Sequence, residues 1–132
     1  MSILIVDDSQ DDLRLIEHIL NKEGYNDILL AHSAKDAFQI LKADNSTVAA
    51  GLSIDLILMD ILMPETDGIE ACGKIKEDAS LSDIPIVMVT PVTEMKDLQV
   101  AFAAGAMDYI TKPFDLDELK ARIRIVLQCL KS

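Results

Sequence analysis

Four short apolar runs punctuate the chain, "ILIV" at 3–6, "DILLA" at 27–31, "DLILM" at 55–59 and "IPIVMV" at 84–89, with a weaker fifth, "DYI", at 108–110. The first, third and fourth are nearly continuous rather than alternating, as expected of parallel strands covered on both faces by helices. Helical spacing fills the gaps. Leu13, Ile16 and Leu20 recur at intervals of three and four, as do Leu116, Leu119, Ile123, Val126 and Leu130 along one face of a final helix. Gly24 and Gly105 stand where helices would be capped at their C-termini. The pattern predicts an α/β fold of (βα)5 type, a five-stranded parallel sheet between two helical layers, with no internal repeat.

In such a fold the crossovers are right-handed and every strand ends on the same edge of the sheet, where ligands bind. The residues just past the strand ends are Asp7 and Asp8, Asp60, Thr90 and Pro91, and the stretch Tyr109 to Pro113. Three carboxylates, a hydroxyl and the Lys112 amine are thereby expected to converge.

Composition narrows the classes of function. With 132 residues and 50% hydrophobic content the chain reads as one domain, 1–132, either alone or at the front of a longer regulator. A net charge of −11 repels a phosphate backbone or an anionic bilayer, which argues against direct nucleic-acid or membrane binding. The N-terminus lacks a basic leader and its apolar run is too short for a signal or a span, so a cytoplasmic location is expected. Cys72 and Cys129 lie far apart without metal-ligand spacing and read as small, buried or half-buried thiols. His18 and His32 have no ligand partner at useful spacing and read as surface or packing residues.

The stretch "DDSQDD" at 7–12 places four acids after a strand built for burial. Part of it is helix capping, since Ser9 with Asp12 fits a capping box and Asp11 and Asp12 fall in the first helical turn. Asp7 and Asp8 are left over, and Asp60 ends a strand expected beside theirs. Carboxylates held that close raise one another's pKa and need an offsetting cation. Mg2+ suits a site of few carboxylates and several waters, and Lys112 supplies a second positive charge. A cation, a carboxylate nucleophile, a lysine and a hydroxyl form a constellation for accepting a phosphoryl group as an acyl phosphate.

These residues fall within "VDDS", "LMDILMPETDG", "VMVT" and "GAMDYITKPFDLDEL", and with them the chain resembles the response-regulator receiver domains of two-component signalling from end to end. The resemblance implies a flavodoxin-like α/β/α sandwich with strand order 2-1-3-4-5. It implies that Asp60 accepts a phosphoryl group from a sensor histidine kinase, a phosphotransfer protein or a small acyl phosphate. Mg2+ would be held by Asp8, Asp60 and the backbone carbonyl of Leu62, with Asp7 acting mainly through water. Thr90 would hydrogen-bond the phosphoryl group and Lys112 would pair with it, while Tyr109 would rotate inward and rearrange the face formed by the fourth helix, fifth strand and fifth helix. The protein would be a signalling switch that catalyses its own phosphorylation and dephosphorylation, not a turnover enzyme. The Lys112–Pro113 bond is usually cis in the family. Read singly, Thr90 and Tyr109 are ordinary strand residues, Lys112 a surface charge, and "MPETDG" a turn in which Gly68 permits a positive φ.

The chain departs from the family pattern in three places. Pro91 replaces a small residue whose N–H usually meets the phosphoryl group, and proline has none; a weakened switch and, at the limit, a phosphorylation-independent binding module follow. Leu62 and Val92, two residues past Asp60 and Thr90, cannot orient a hydrolytic water, so slow self-dephosphorylation is expected. The connection at 43–54 is longer than most receivers have and reads as a surface insertion. A flavin-binding protein of similar architecture would need a phosphate cradle where "DDSQDD" stands. A phosphatase with an aspartate nucleophile would need an acid at Leu62. Lys120, Arg122 and Arg124, with Asp108 nearby, read either as pairs across a phosphorylation-promoted homodimer or as a solvated face.

Overall fold

A computed structural model describes residues 2–46, 54–63, 65–91, 94–113 and 115–129. In chain order the elements are β1 (Ser2–Val6), α1 (Gln10–Lys22), β2 (Asp27–Ala31), α2 (Ala34–Ser46), β3 (Ile54–Met59), α3 (Gly68–Glu77), β4 (Ile86–Thr90), α4 (Met95–Ala104), β5 (Asp108–Thr111) and α5 (Leu116–Cys129). The strands form one parallel sheet in the order β2-β1-β3-β4-β5.

The continuous apolar strands have the two-sided burial that their composition predicts. Ile3 and Ile5 of β1, Leu56 and Leu58 of β3, and Val87 and Val89 of β4 pack with α1 and α5. Their alternates Leu4 and Val6, Ile57 and Met59, and Ile86 and Met88 pack with α2, α3 and α4 on the other face. The edge strands β2 and β5 are less buried.

Local chemistry sets the helix ends. Ser9 caps α1, its hydroxyl accepting from the Asp12 amide at 3.3 Å, and Asp67 caps α3, accepting from the Glu70 amide at 2.8 Å. Gly24 and Gly105 adopt φ of 93° and 120° at the ends of α1 and α4, as their positions predict. Lys76 donates to the carbonyls of Ser82 and Ile84 at 2.9 and 2.6 Å, tying α3 to the chain entering β4; burial holds its pKa below the usual lysine value.

Several expectations are corrected. The fourth strand begins at Ile86 rather than residue 84, because Pro85 has no N–H for the ladder and contributes only its carbonyl, to Ile57 N–H at 3.0 Å. Gly68 does not hold a positive φ; Glu65 does, at 68°. The apolar stripe of α5 starts at Leu119, since Leu116 in the first turn is exposed, and Leu130 lies outside the described residues. Cys72 is buried as expected, whereas Cys129 is exposed near the end of α5. Of the 43–54 connection, residues 43–46 continue α2, 54 opens β3 and 47–53 lie outside the described residues. Among the described residues no helix is long and apolar enough to cross a membrane.

Candidate functional site

The ends of β1, β3, β4 and β5 each deliver part of the site, and the sheet's own hydrogen bonds fix where it lands. The Asp7 amide donates to the Ala31 carbonyl at 3.1 Å and the Asp60 amide to the Val6 carbonyl at 3.0 Å, so both acids stand on rigid extensions of the ladder. The Lys112 amide donates to the Thr90 carbonyl at 2.8 Å, just before a cis bond to Pro113. Residues separated by up to 105 positions thereby meet at one sheet edge.

Lys112 lies at the centre of the carboxylates. Its Nζ is 2.6 Å from Asp7 Oδ2, 2.7 Å from Asp12 Oδ2 and 3.0 Å from Asp60 Oδ2. The remaining oxygens of the two buried acids are also held. Asp7 Oδ1 accepts from the Ser9 amide at 2.9 Å, and Asp60 Oδ1 from the Leu62 amide at 3.0 Å. Burial pushes the Asp7 carboxyl above its ordinary pKa, outweighing the pull of Lys112, and the nearby Asp60 adds to the rise. Burial also works against the charged Lys112, but its bonds to Asp12, Asp7 and Asp60 win and hold its pKa above the lysine range.

Carboxylate oxygens of Asp7, Asp8 and Asp60 come within 4.8 Å of one another. Asp7 and Asp60 are buried and Asp8 is exposed, which makes a half-open set of hard oxygen donors. That donor set fits Mg2+ with waters filling the remaining positions.

The other predicted residues flank this cluster. Thr90 is fully buried at the end of β4, and Pro91 after it is exposed. Leu62 is 53% exposed, its amide engaged by Asp60. Val92 lies outside the described residues. Tyr109 is half-buried on β5, edge-on to Phe102 of α4 at 5.9 Å between centroids, and the Arg122 guanidinium lies over its ring, also at 5.9 Å. Arg122 pairs within the chain to Asp108 at 2.9 Å and Glu118 at 3.1 Å, while Lys120 and Arg124 reach Glu23 at 2.9 and 3.8 Å. The basic residues of α5 are thus engaged intramolecularly.

Two contributors escaped the sequence reading. Asp12 was accounted for as a helix-cap acid, yet its carboxylate is the third partner of Lys112. Gly68 serves by close approach: a Cβ there would lie 2.1 Å from the Asp60 carbonyl oxygen and 2.8 Å from the Ile61 Cα. The Gly68 amide donates to the Ile61 carbonyl at 2.8 Å, which seats the start of α3 against the backbone that carries Asp60.

The family model of the response regulator receiver domain matches residues 3–124. The chain belongs to the receiver-domain family. The receiver domain is 44% identical over 127 residues to the transcriptional regulatory protein YvrH of Bacillus subtilis, covering 96% of this chain and 49% of YvrH. It is 33% identical over 127 residues to the chemotaxis protein CheY1 of Helicobacter pylori, covering 96% of this chain and 97% of CheY1. Among solved structures, the CheX–CheY–BeF3–Mg2+ complex from Borrelia burgdorferi contains a chain matching with a TM-score of 0.84 at 27% identity, over 96% of this chain and 88% of that one. The chain spans about half the length of the transcriptional regulators it matches first. Receiver domains interact with histidine kinases or phosphotransfer proteins and bind Mg2+ in general, and they are signalling proteins rather than turnover enzymes.

Proposed function

We propose that this receiver domain is a phosphorylation switch in which Asp60 accepts a phosphoryl group from a histidine kinase, a phosphotransfer protein or a small acyl phosphate. The observation that carries the reading is the convergence of Asp7, Asp8 and Asp60 on one edge with Lys112 Nζ 3.0 Å from Asp60. An oxygen of Asp60 forms the new P–O bond as the donor's bond to phosphorus breaks: the P–N bond of a phosphohistidine, whose departing imidazole takes up a proton, or the P–O bond of an acyl phosphate, whose carboxylate departs as the anion. Because both Asp60 oxygens are held by Lys112 and the Leu62 amide, the carboxylate is oriented before the donor arrives.

Asp8 and Asp60, with the Leu62 carbonyl, would hold Mg2+, and Asp7 would act mainly through water. The cation would neutralise charge on the phosphoryl oxygens. Lys112 pairs with the phosphoryl group and Thr90 donates its hydroxyl to it. The support for Tyr109 as the moving element is its half-buried seat between Phe102 and Arg122, from which an inward turn would break both contacts. A regulated dimer through α4, β5 and α5 would have to exchange the Arg122–Asp108 pair for one across the interface. The cytoplasm, where histidine kinases present their phosphohistidine, is the expected compartment. Any contact with nucleic acid would belong to chain outside this acidic domain.

Intact mass after incubation with acetyl phosphate and Mg2+ tests the reading. A gain of one phosphoryl mass is expected, absent in Asp60→Asn and in metal-free buffer. A gain that persists in Asp60→Asn would refute the acceptor assignment. No gain while Mg2+ still binds would favour the second reading, raised by Pro91, of a module that works by binding alone.

A further inference from the structure

A cleft of about 290 Å3 lies between α2 and α3, and none of Asp7, Asp8, Asp12, Asp60 and Lys112 lines it. Phe38, half-buried and packed against the core, gives it an apolar wall. Lys35 and Lys42 of α2 and Lys74 of α3 line it, Gln39 and Thr66 add neutral polar groups, and no carboxylate is among the lining residues.

That distribution is unexpected in a chain with 23 acids and 12 bases. Among the described residues, neither Lys35 nor Lys42 forms an ion pair, and Lys42 exerts only a Coulombic pull on Asp78. Lys74 meets Glu70 at 3.6 Å with both side chains more than half exposed, a weak pair. Three ammonium groups around one apolar wall are therefore left largely to solvent, in a protein whose other basic clusters are matched to acids.

The spacing selects the ligand. Lys35 and Lys42 are two helical turns apart, about 10 Å along α2. A single inorganic anion cannot bridge them. A segment in the extended polyproline II conformation rises about 3.1 Å per residue and returns to the same face every three residues, so two carboxylates three positions apart match that distance. An apolar side chain between them would meet Phe38.

We propose that the α2–α3 cleft docks an extended acidic segment of a partner protein, two acidic residues three apart straddling an apolar one. The charge complementarity is local, since the chain as a whole carries a net charge of −11 and does not attract such a segment at long range. Thr66 places the end of the cleft on the loop that follows Asp60, next to Asp67 and Gly68.

The test is titration of a short peptide containing Glu-Ala-Phe-Glu into isotope-labelled protein at low salt, followed by amide chemical shifts. Saturable shifts at Phe38, Gln39 and Thr66 are expected, and loss of about tenfold or more in affinity for Lys35→Glu/Lys42→Glu. Lys22→Glu/Lys96→Glu, an equal charge change on α1 and α4, should alter affinity less than about twofold. Both doubles change exposed residues, and a thermal melt checks their folding. Absence of saturable shifts, shifts centred elsewhere, equal loss from the two doubles, or equal binding of the Gln-Ala-Phe-Gln peptide would each overturn the proposal.

Discussion

Gly68→Ala and Gly73→Ala alter the same helix by the same methyl group and should move stability in opposite directions. At Gly68 the added Cβ would stand 2.1 Å from the Asp60 carbonyl oxygen, with the Asp60 carbonyl carbon and Ile61 Cα both at 2.8 Å. Ordinary contact needs at least 1 Å more, roughly, and every atom in the way is backbone, so α3 or the Asp60 segment must shift. Overpacking of this kind costs about 1–3 kcal/mol, and because Gly68 is the first residue of α3 it recovers little helix propensity. A net loss of about 2 kcal/mol is expected, or about 8 °C in Tm for a domain of this size. At Gly73, inside α3, nothing lies within 4 Å of the added Cβ and the φ is not positive. There the substitution should stabilise by about 0.5–1 kcal/mol. Urea denaturation followed by circular dichroism in metal-free buffer measures both, and acetyl phosphate labelling of Gly68→Ala tests whether the shift reaches Asp60. A Gly68→Ala variant within about 0.5 kcal/mol of the parent would refute the claim that α3 is seated directly on the Asp60 backbone.

Asp8→Asn changes an exposed side chain and should leave metal-free stability within about 0.5 kcal/mol, while abolishing the rise in Tm that millimolar Mg2+ gives the parent; a retained rise would remove Asp8 from the ligand set. Asp7→Asn keeps an acceptor for the Ser9 amide and removes a carboxylate whose pKa burial has raised. The folded state binds that proton more readily than the unfolded chain, so the parent loses stability as pH rises from the ordinary carboxylate value to the raised one. The variant's advantage in metal-free buffer should accordingly vanish in acid and grow to a plateau of about 1 kcal/mol toward neutrality, as read from melts across pH. Pro91→Ala restores an N–H beside Thr90 and should shift the phosphorylation equilibrium about tenfold or more toward the phosphorylated form, the worth of one hydrogen bond to a charged group. With Leu62 two residues past Asp60, the phosphorylated parent should decay over minutes or longer by mass, and a half-life of seconds would count against that reasoning.

The sheet was legible because its strands are apolar on both faces, a pattern that helices at a 3.6-residue period do not produce. Asp7, Asp8, Asp60, Thr90 and Lys112 could be placed together because parallel topology sends all strand ends to one edge. Asp12 could not, since its reach to Lys112 depends on where the first turn of α1 points across 100 residues of chain. Gly68 was read only as a turn glycine that permits a positive φ, the common use of glycine, whereas its lack of a side chain is what α3 needs here. Leu116 keeps the helical period yet falls on the exposed first turn of α5, beyond the reach of the core. Lys35, Lys42 and Lys74 carry no signal in sequence because they gather only when α2 and α3 lie side by side.

Lys112 is joined to Asp7, Asp12 and Asp60 across 105, 100 and 52 positions. During synthesis the three acids leave the ribosome in the first half of the chain, and the amine that balances them follows only with β5. An incomplete chain holding β1 and β3 would bring Asp7 and Asp60 together with no counter-charge, so self-repulsion works against premature closure of the sheet. Non-local closure of this kind slows folding and makes it cooperative. The electrostatic balance of this edge is therefore also a condition on assembly order: the strand that completes the sheet brings the charge that lets its acidic side settle.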